Sequence, residues 1–281
     1  MPKIADAMLP EPSPGGVAGS PAPPSAPPRV FIVMPAYNAA RTLARTYQEL
    51  PHGLIDTIIV VDDGSHDGTA GIARDLGLRV FVHNRNYGYG ANQKTCYREA
   101  LRAGADVVVM VHPDYQYDPT LVPEIIAPLL DNSADVVLGS RLMGSHPIKQ
   151  GMPWWKYVAN RALTWLENAV FGLRLSEYHT GYRAYRRTAL EAINFEMNAD
   201  GFVFDQEILA QMVHLKLRIK EVPVPTRYFK EASSTSFLQS TEYGFAILRV
   251  LFQYAVHELG ILHQRRFDSL ERRYEEGRSR A

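Results

Sequence analysis

The sequence predicts an α/β fold: a doubly wound, mostly parallel sheet flanked by helices, with a C-terminal helical extension. Three observations predict it. Short apolar runs alternate with helical stretches through residue 140. One of them, Thr57–Val61 (TIIVV), is apolar throughout rather than at every second residue, as a strand buried on both faces requires. Polar or glycine-rich loops close these runs, where ligands of such sheets bind, beyond the carboxyl ends of the strands.

Taken in order, residues 1–28 are rich in Pro, Gly, Ala and Ser and read as a disordered tail. Residues 29–236 are expected to form one large domain, and 237–281 an amphipathic helix with a charged tail. Strands are expected at Val30–Met34, Thr57–Val61, Leu78–His83, Asp106–Val111 and Asp135–Gly139. Helices are expected over about Ala39–Leu50, Ala91–Ala103 and Pro119–Leu130. After residue 140 the pattern changes. Pro153–Phe171 reads as a long helix rich in aromatics, followed by HTGYRAYRR at 179–187 and GFVFDQEI leading a helix to about Leu215. A strand is expected near Arg218–Val222 and a long helix over about Leu238–His263.

Thirty basic and thirty acidic residues cancel, which argues against a general nucleic-acid binder. The single cysteine, Cys96, excludes an intrachain disulfide and a Cys-rich zinc site, and suits a reducing compartment. No signal-like apolar stretch opens the chain, and no uninterrupted apolar run of about 18 residues occurs. The expectation is a cytoplasmic protein, with peripheral contact at the cytoplasmic face of a membrane. Two segments, Trp154–Phe171 and Phe245–Leu262, have broad apolar faces suited to a bilayer interface, to the sheet or to a second copy in a homodimer.

The chemistry centres on Met110–Pro119, MVHPDYQYDP. Asp114 and Gln116 there are oxygen donors two positions apart, suited to Mg²⁺ or Mn²⁺ when a diphosphate and water complete the shell. His112 reads as a supporting residue rather than a ligand. Asp62, Asp63 and Gly64 end the second strand, where a carboxylate accepts from a base or ribose and glycine permits close approach. Pro35, Tyr37 and Asn38 end the first. Asn86, Gly88, Gly90 and, further along the helix they open, Lys94 are donor-contact candidates, the loop offering backbone N–H groups to an anion. Arg141, Arg183, Arg227 and Lys230 are candidates for phosphate contacts. Asp205 and Glu207 open a helix; Asp205 is the first base candidate if the acceptor is a hydroxyl.

Together, VFIVMPAYNAARTL, IIVVDDGSHDGT, HNRNYGYGANQKT, HPDYQYDP, VVLGSR, TGYRAYRR and VPVPTRYF make residues 30–236 resemble family 2 glycosyltransferases of the GT-A fold. The branch that resembles the chain most is that of dolichyl- or polyprenyl-phosphate sugar synthases. The resemblance implies a nucleoside-diphosphate sugar donor, UDP- or GDP-linked, a divalent metal and transfer with inversion to a lipid phosphate or a saccharide. It implies that Pro35, Tyr37 and Asp62 contact the nucleoside, Asp114 and Gln116 ligate the metal, and Arg141 and Arg227 face the phosphates or acceptor. The family's metal motif usually reads Asp-x-Asp, and His112 stands where its first Asp would be. A sugar-nucleotide binder without turnover is the competing reading.

Overall fold

The computed structural model describes residues 27–144, 147–148, 152–225 and 237–268. The apolar runs form a seven-stranded sheet: β1 (Val30–Ala36), β2 (Thr57–Asp62), β3 (Arg79–Val82), β4 (Val107–Met110), β5 (Val136–Ser140), β6 (Arg183–Arg186) and β7 (Ile219–Pro223). Their order is β3-β2-β1-β4-β6-β5-β7. β1 pairs parallel with β2 and β4, β2 with β3, and β5 with β7. β6 alone runs antiparallel, between β4 and β5.

Every residue of β1 is buried, which is why its sequence is apolar without alternation. Phe31 and Val33 face one core with Ile59 and Val61, while Ile32 and Met34 face the other with Ile58 and Val60. The first core is closed by α3 (Tyr89–Arg102), α7 (Phe204–His214) and α8 (Phe237–Glu258), through Tyr97, Ile208 and Leu251. The second is closed by α1 (Leu43–Gln48) and α4 (Val122–Leu130), through Leu43 and Ile125. Each such side chain contributes roughly 1.5–3 kcal/mol by burial, so Ile59→Ala, at zero exposure, should cost about 2–5 kcal/mol. The remaining helices are α2 (Thr69–Asp75), α5 (Trp154–Phe171) and α6 (Arg187–Ala192). Cys96 is fully buried in α3, and burial pushes its thiol up, away from nucleophile chemistry.

Three expectations change. The first helix begins only at Leu43, after a turn at 39–42 whose Ala39 and Ala40 amides are held by the Thr69 hydroxyl (2.9 Å) and Asp67 (3.0 Å). The last helix ends at Glu258, followed by Gly260 in the left-handed region at φ +70°. The unassigned HTGYRAYRR segment contains strand β6, hidden in the sequence because its charged Arg183 reads as surface. β6 matters for position: pairing Met110 with Arg183, its antiparallel course sets the TGYR segment at the same edge as the carboxyl end of β4.

Candidate active site

The carboxyl ends of β1, β2 and β4 meet along one edge, and their loops are stitched together. Asn38, at φ +51°, donates its amide to Ser65 Oγ (2.8 Å) and accepts from the His66 amide through Oδ1 (3.1 Å). Asp62 is 2% exposed and accepts from the Ser65 hydroxyl and its amide (3.2 Å). Pro35 is buried within β1, and Tyr37 stands 49% exposed beside it.

Asp63 turns inward. Its carboxylate receives the amides of Tyr87 (3.0 Å) and Gly88 (2.9 Å) and faces His83 Nδ1 at 2.7 Å. Gly64 (φ +73°) lies against the same loop; a Cβ there would sit 2.7 Å from the Arg85 carbonyl carbon. The rest of the glycine-rich loop is also committed to protein. Gly90 and Ala91 donate to the Asp200 carbonyl (2.7 and 3.3 Å), and a Cβ on Gly88 or Gly90 would strike the 199–200 backbone. Lys94, 8% exposed, donates to the Asn198 carbonyl (2.5 Å) and Asp200 Oδ1 (2.7 Å). The anion cradle expected of Gly88, Gly90 and Lys94 is therefore a docking seam for the 198–201 turn. Asn86 is exposed on that loop.

The β4 loop has the arrangement that chemistry can use. From Val111 to Asp118 burial alternates: Val111, Pro113, Tyr115 and Tyr117 are buried, while His112, Asp114, Gln116 and Asp118 are half-buried. The buried set anchors the loop. Tyr115 adopts φ +61°, uncommon for an aromatic residue, and its hydroxyl bonds Glu49 beneath the Arg45 guanidinium. Thr42 donates to the Pro113 carbonyl (2.5 Å), and the Tyr117 hydroxyl accepts from the Gly181 amide (3.1 Å). Asp114 Oδ1 accepts the Gln116 amide (3.0 Å), which fixes the turn between the two oxygen-bearing side chains.

Behind this loop lies a partly buried polar chain. The Tyr89 hydroxyl sits 2.8 Å from Asp205 Oδ2 and 3.2 Å from His112 Nε2, and Gln93 Nε2 donates to Asp205 Oδ1 (3.1 Å). Burial and the Asp205 charge hold the Tyr89 phenol well above its ordinary value. Asp205 is 6% exposed with both oxygens bonded, so its carboxylate is a fixed anchor, not the open base expected for a hydroxyl acceptor. Glu207 is engaged likewise, by the Ala199 amide (2.5 Å) and Arg266 (2.5 Å).

Two arginines change role. Arg183 is fully buried and donates to the carbonyls of Thr180 (2.7 Å), Asp205 (2.9 Å) and Tyr178 (2.8 Å), so it braces the fold instead of meeting phosphate. Arg141 binds Glu177 through its amide (2.8 Å) and its guanidinium (Nε, 2.8 Å), and donates to the His179 carbonyl (2.8 Å). Burial raises the Glu177 carboxyl, but the charge and hydrogen bonds of Arg141 prevail and hold it below the usual carboxylate value. Glu177, 36 positions from Arg141, carries no signal in sequence; Tyr89 and Gly181 lie in HNRNYGYGANQKT and TGYRAYRR, whose spacing does not reveal them as neighbours of His112. Arg227 and Lys230 lie outside the described residues.

A family model described as glycosyl transferase family 2 matches residues 31–193, more than half the chain. The chain belongs to glycosyl transferase family 2. It is 28% identical over 216 residues to the UDP-N-acetylglucosamine–dolichyl-phosphate N-acetylglucosaminyltransferase of Methanococcus voltae, covering 71% of this chain and 86% of that one. It is 28% identical over 204 residues to the polyprenol monophosphomannose synthase of Mycolicibacterium smegmatis, covering 70% and 76%. Among solved structures, glucosyl-3-phosphoglycerate synthase from Mycobacterium tuberculosis, in complex with Mn²⁺, uridine diphosphate and phosphoglyceric acid, superposes with a TM-score of 0.62 at 20% identity over 81% of this chain and 78% of that one. The same enzyme with uridine diphosphate alone gives 0.64 at 21%, covering 81% and 80%. The fold is GT-A, and the protein is a family 2 glycosyltransferase.

Proposed function

We propose that this glycosyltransferase moves a hexosyl group from a UDP- or GDP-sugar to a polyprenyl phosphate, with inversion and with a divalent ion. The observation that carries the reading is the β4 loop, whose alternation presents Asp114 and Gln116 on one side while Tyr115 and Tyr117 anchor the other. The names of the two relatives, both of which act with lipid phosphates, support the acceptor class.

The donor set fits the metal. A carboxylate and an amide oxygen suit Mg²⁺ or Mn²⁺, which complete their shells with diphosphate oxygens and water. Asp114 and Gln116 would hold the ion, which would supply positive charge against the leaving nucleoside diphosphate. The chain's own residues do the rest. Tyr37 offers an exposed ring for a base, and Asp62, 2% exposed, fixes the Ser65 turn at the end of the neighbouring strand. Asp63 holds the Tyr87–Gly88 backbone that walls this side. A phosphate acceptor is already ionised and attacks in line without a base, which agrees with the enclosed state of Asp205. A saccharide hydroxyl would need the base that this geometry withholds.

Among the described residues no helix is long and apolar enough to cross a membrane. Trp154 and Trp165 on α5 and Phe245 and Phe252 on α8 are each 68–73% exposed, and an apolar groove between the helices is lined by Trp155, Leu163, Phe245 and Leu248. Such a surface suits in-plane contact with a bilayer, where a lipid acceptor resides. Thermal shift with UDP and GDP, with and without Mn²⁺, tests the donor site: metal-dependent stabilisation is expected in the wild type and not in Asp114→Ala. Equal stabilisation of both proteins contradicts the reading.

A further inference from the structure

We propose that His112 is itself a ligand of the divalent ion, through Nδ1, and that Tyr89 with Asp205 fixes the tautomer that leaves this nitrogen unprotonated. The inference rests on the metal-assisted reading above.

Proton counting gives the tautomer. The Tyr89 hydroxyl has one hydrogen and two neighbours, Asp205 Oδ2 at 2.8 Å and His112 Nε2 at 3.2 Å. A carboxylate only accepts, so the hydroxyl hydrogen goes to Asp205. The contact with His112 is then Nε2–H donating to the phenol oxygen. A neutral imidazole protonated on Nε2 has its lone pair on Nδ1.

A second observation fixes the ring's orientation. A Cβ on Gly181 would stand 2.6 Å from His112 Nε2 and 2.7 Å from Cδ2, so only glycine lets this edge of the ring lie against the β6 lead-in. The Nε2–Cδ2 edge faces inward and the Nδ1 edge is turned away from it. No hydrogen bond engages Nδ1 among the described residues. His112 also belongs to the outward set of the loop, two positions from Asp114 and four from Gln116. Metal-binding histidines commonly donate their other N–H to a carboxylate or to an oxygen that leads to one, which is the arrangement of His112, Tyr89 and Asp205.

The substitution of His for the usual first Asp thus replaces a hard oxygen by a borderline nitrogen. A site of this composition favours Mn²⁺ and later divalent ions over Mg²⁺. Tyr89 and Asp205 are positioning residues that act through His112.

Pulsed electron paramagnetic resonance of the full chain with Mn²⁺ and either UDP or GDP tests this directly. The expected result is nuclear modulation from a directly bound nitrogen, altered by isotopic labelling of histidine nitrogen and absent in His112→Asp, which still binds Mn²⁺. The isosteric His112→Asn serves as a second variant and should also lack the modulation. His112→Asp should lower the ratio of Mn²⁺ to Mg²⁺ affinity about tenfold, and Tyr89→Phe should weaken Mn²⁺ binding about tenfold. Mn²⁺ bound without nitrogen modulation overturns the role of His112 and leaves the metal reading intact. Absence of Mn²⁺ binding with both nucleotides overturns the metal reading, and this inference with it.

Discussion

At the carboxyl edge of the sheet, Asp63, Lys94, Arg183 and Asp205 are buried and bonded to protein. Along α5 and α8, by contrast, Trp154, Trp165, Phe245 and Phe252 stand largely in solvent. The polar region looks like a binding surface in sequence but is mostly an internal framework. The apolar region looks like core but is partly surface. In each, a few side chains still reach solvent: Tyr37 and the half-buried His112, Asp114 and Gln116 of the β4 loop on one side, the aromatic faces of α5 and α8 on the other.

The largest effect should separate the half-buried donors of the β4 loop from the framework behind them. Asp114→Ala removes the oxygen proposed to hold the divalent ion and should lower transfer roughly 1,000-fold, the equivalent of about 4 kcal/mol of transition-state stabilisation, with little change in unfolding free energy. Steady-state release of nucleoside diphosphate and urea denaturation check the two halves of that statement.

Arg141→Ala should do the reverse. It leaves Glu177, at zero exposure, without its cation, and should destabilise the fold by about 3–5 kcal/mol in urea. If Arg141→Ala unfolds like the wild type but loses transfer, Arg141 is a substrate contact and the framework assignment fails.

On the apolar side, the double variant Trp165→Ser with Phe252→Ser should weaken liposome co-sedimentation about tenfold. Its unfolding free energy should change little, because both side chains are about 70% exposed. A shift from dimer to monomer in sizing, with liposome binding unchanged, would assign this face to a second copy of the chain.

The smallest effect is a pH dependence. Glu177 is held below its ordinary value of 4.5 in the folded state. A group depressed by folding contributes stability that is fully present above its unfolded value and is lost as pH falls through the folded one. The stability gap between wild type and Glu177→Gln should therefore be constant above about pH 5 and shrink below 4.5. A gap that widens in acid would mean that burial, not Arg141, controls the carboxyl.

Much of this was legible in the sequence. β1, β2 and β4 announce themselves because strands buried on both faces are apolar at every position, as Val30–Met34 and Thr57–Val61 are. Strand β6 did not, because the buried Arg183 guanidinium is satisfied by three backbone carbonyls and faces the Asp205 carboxylate at 3.9 Å, partners whose proximity only the fold creates. The glycine-rich loop was visible, but its use was not. Whether the Gly90 amide meets an anion or the Asp200 carbonyl depends on a contact 110 positions away. The departure at His112 was visible as a substitution; its tautomer required Tyr89, Asp205 and Gly181 to be placed around it.

The most direct test is release of nucleoside diphosphate from UDP- and GDP-sugars by the full chain on liposomes, with polyprenyl phosphate and Mn²⁺ added or withheld. The account predicts release that requires both the lipid phosphate and the divalent ion, and that Asp114→Ala lowers by about three orders of magnitude. Release that persists under metal chelation, or that responds to a saccharide acceptor and not to the lipid phosphate, would contradict it.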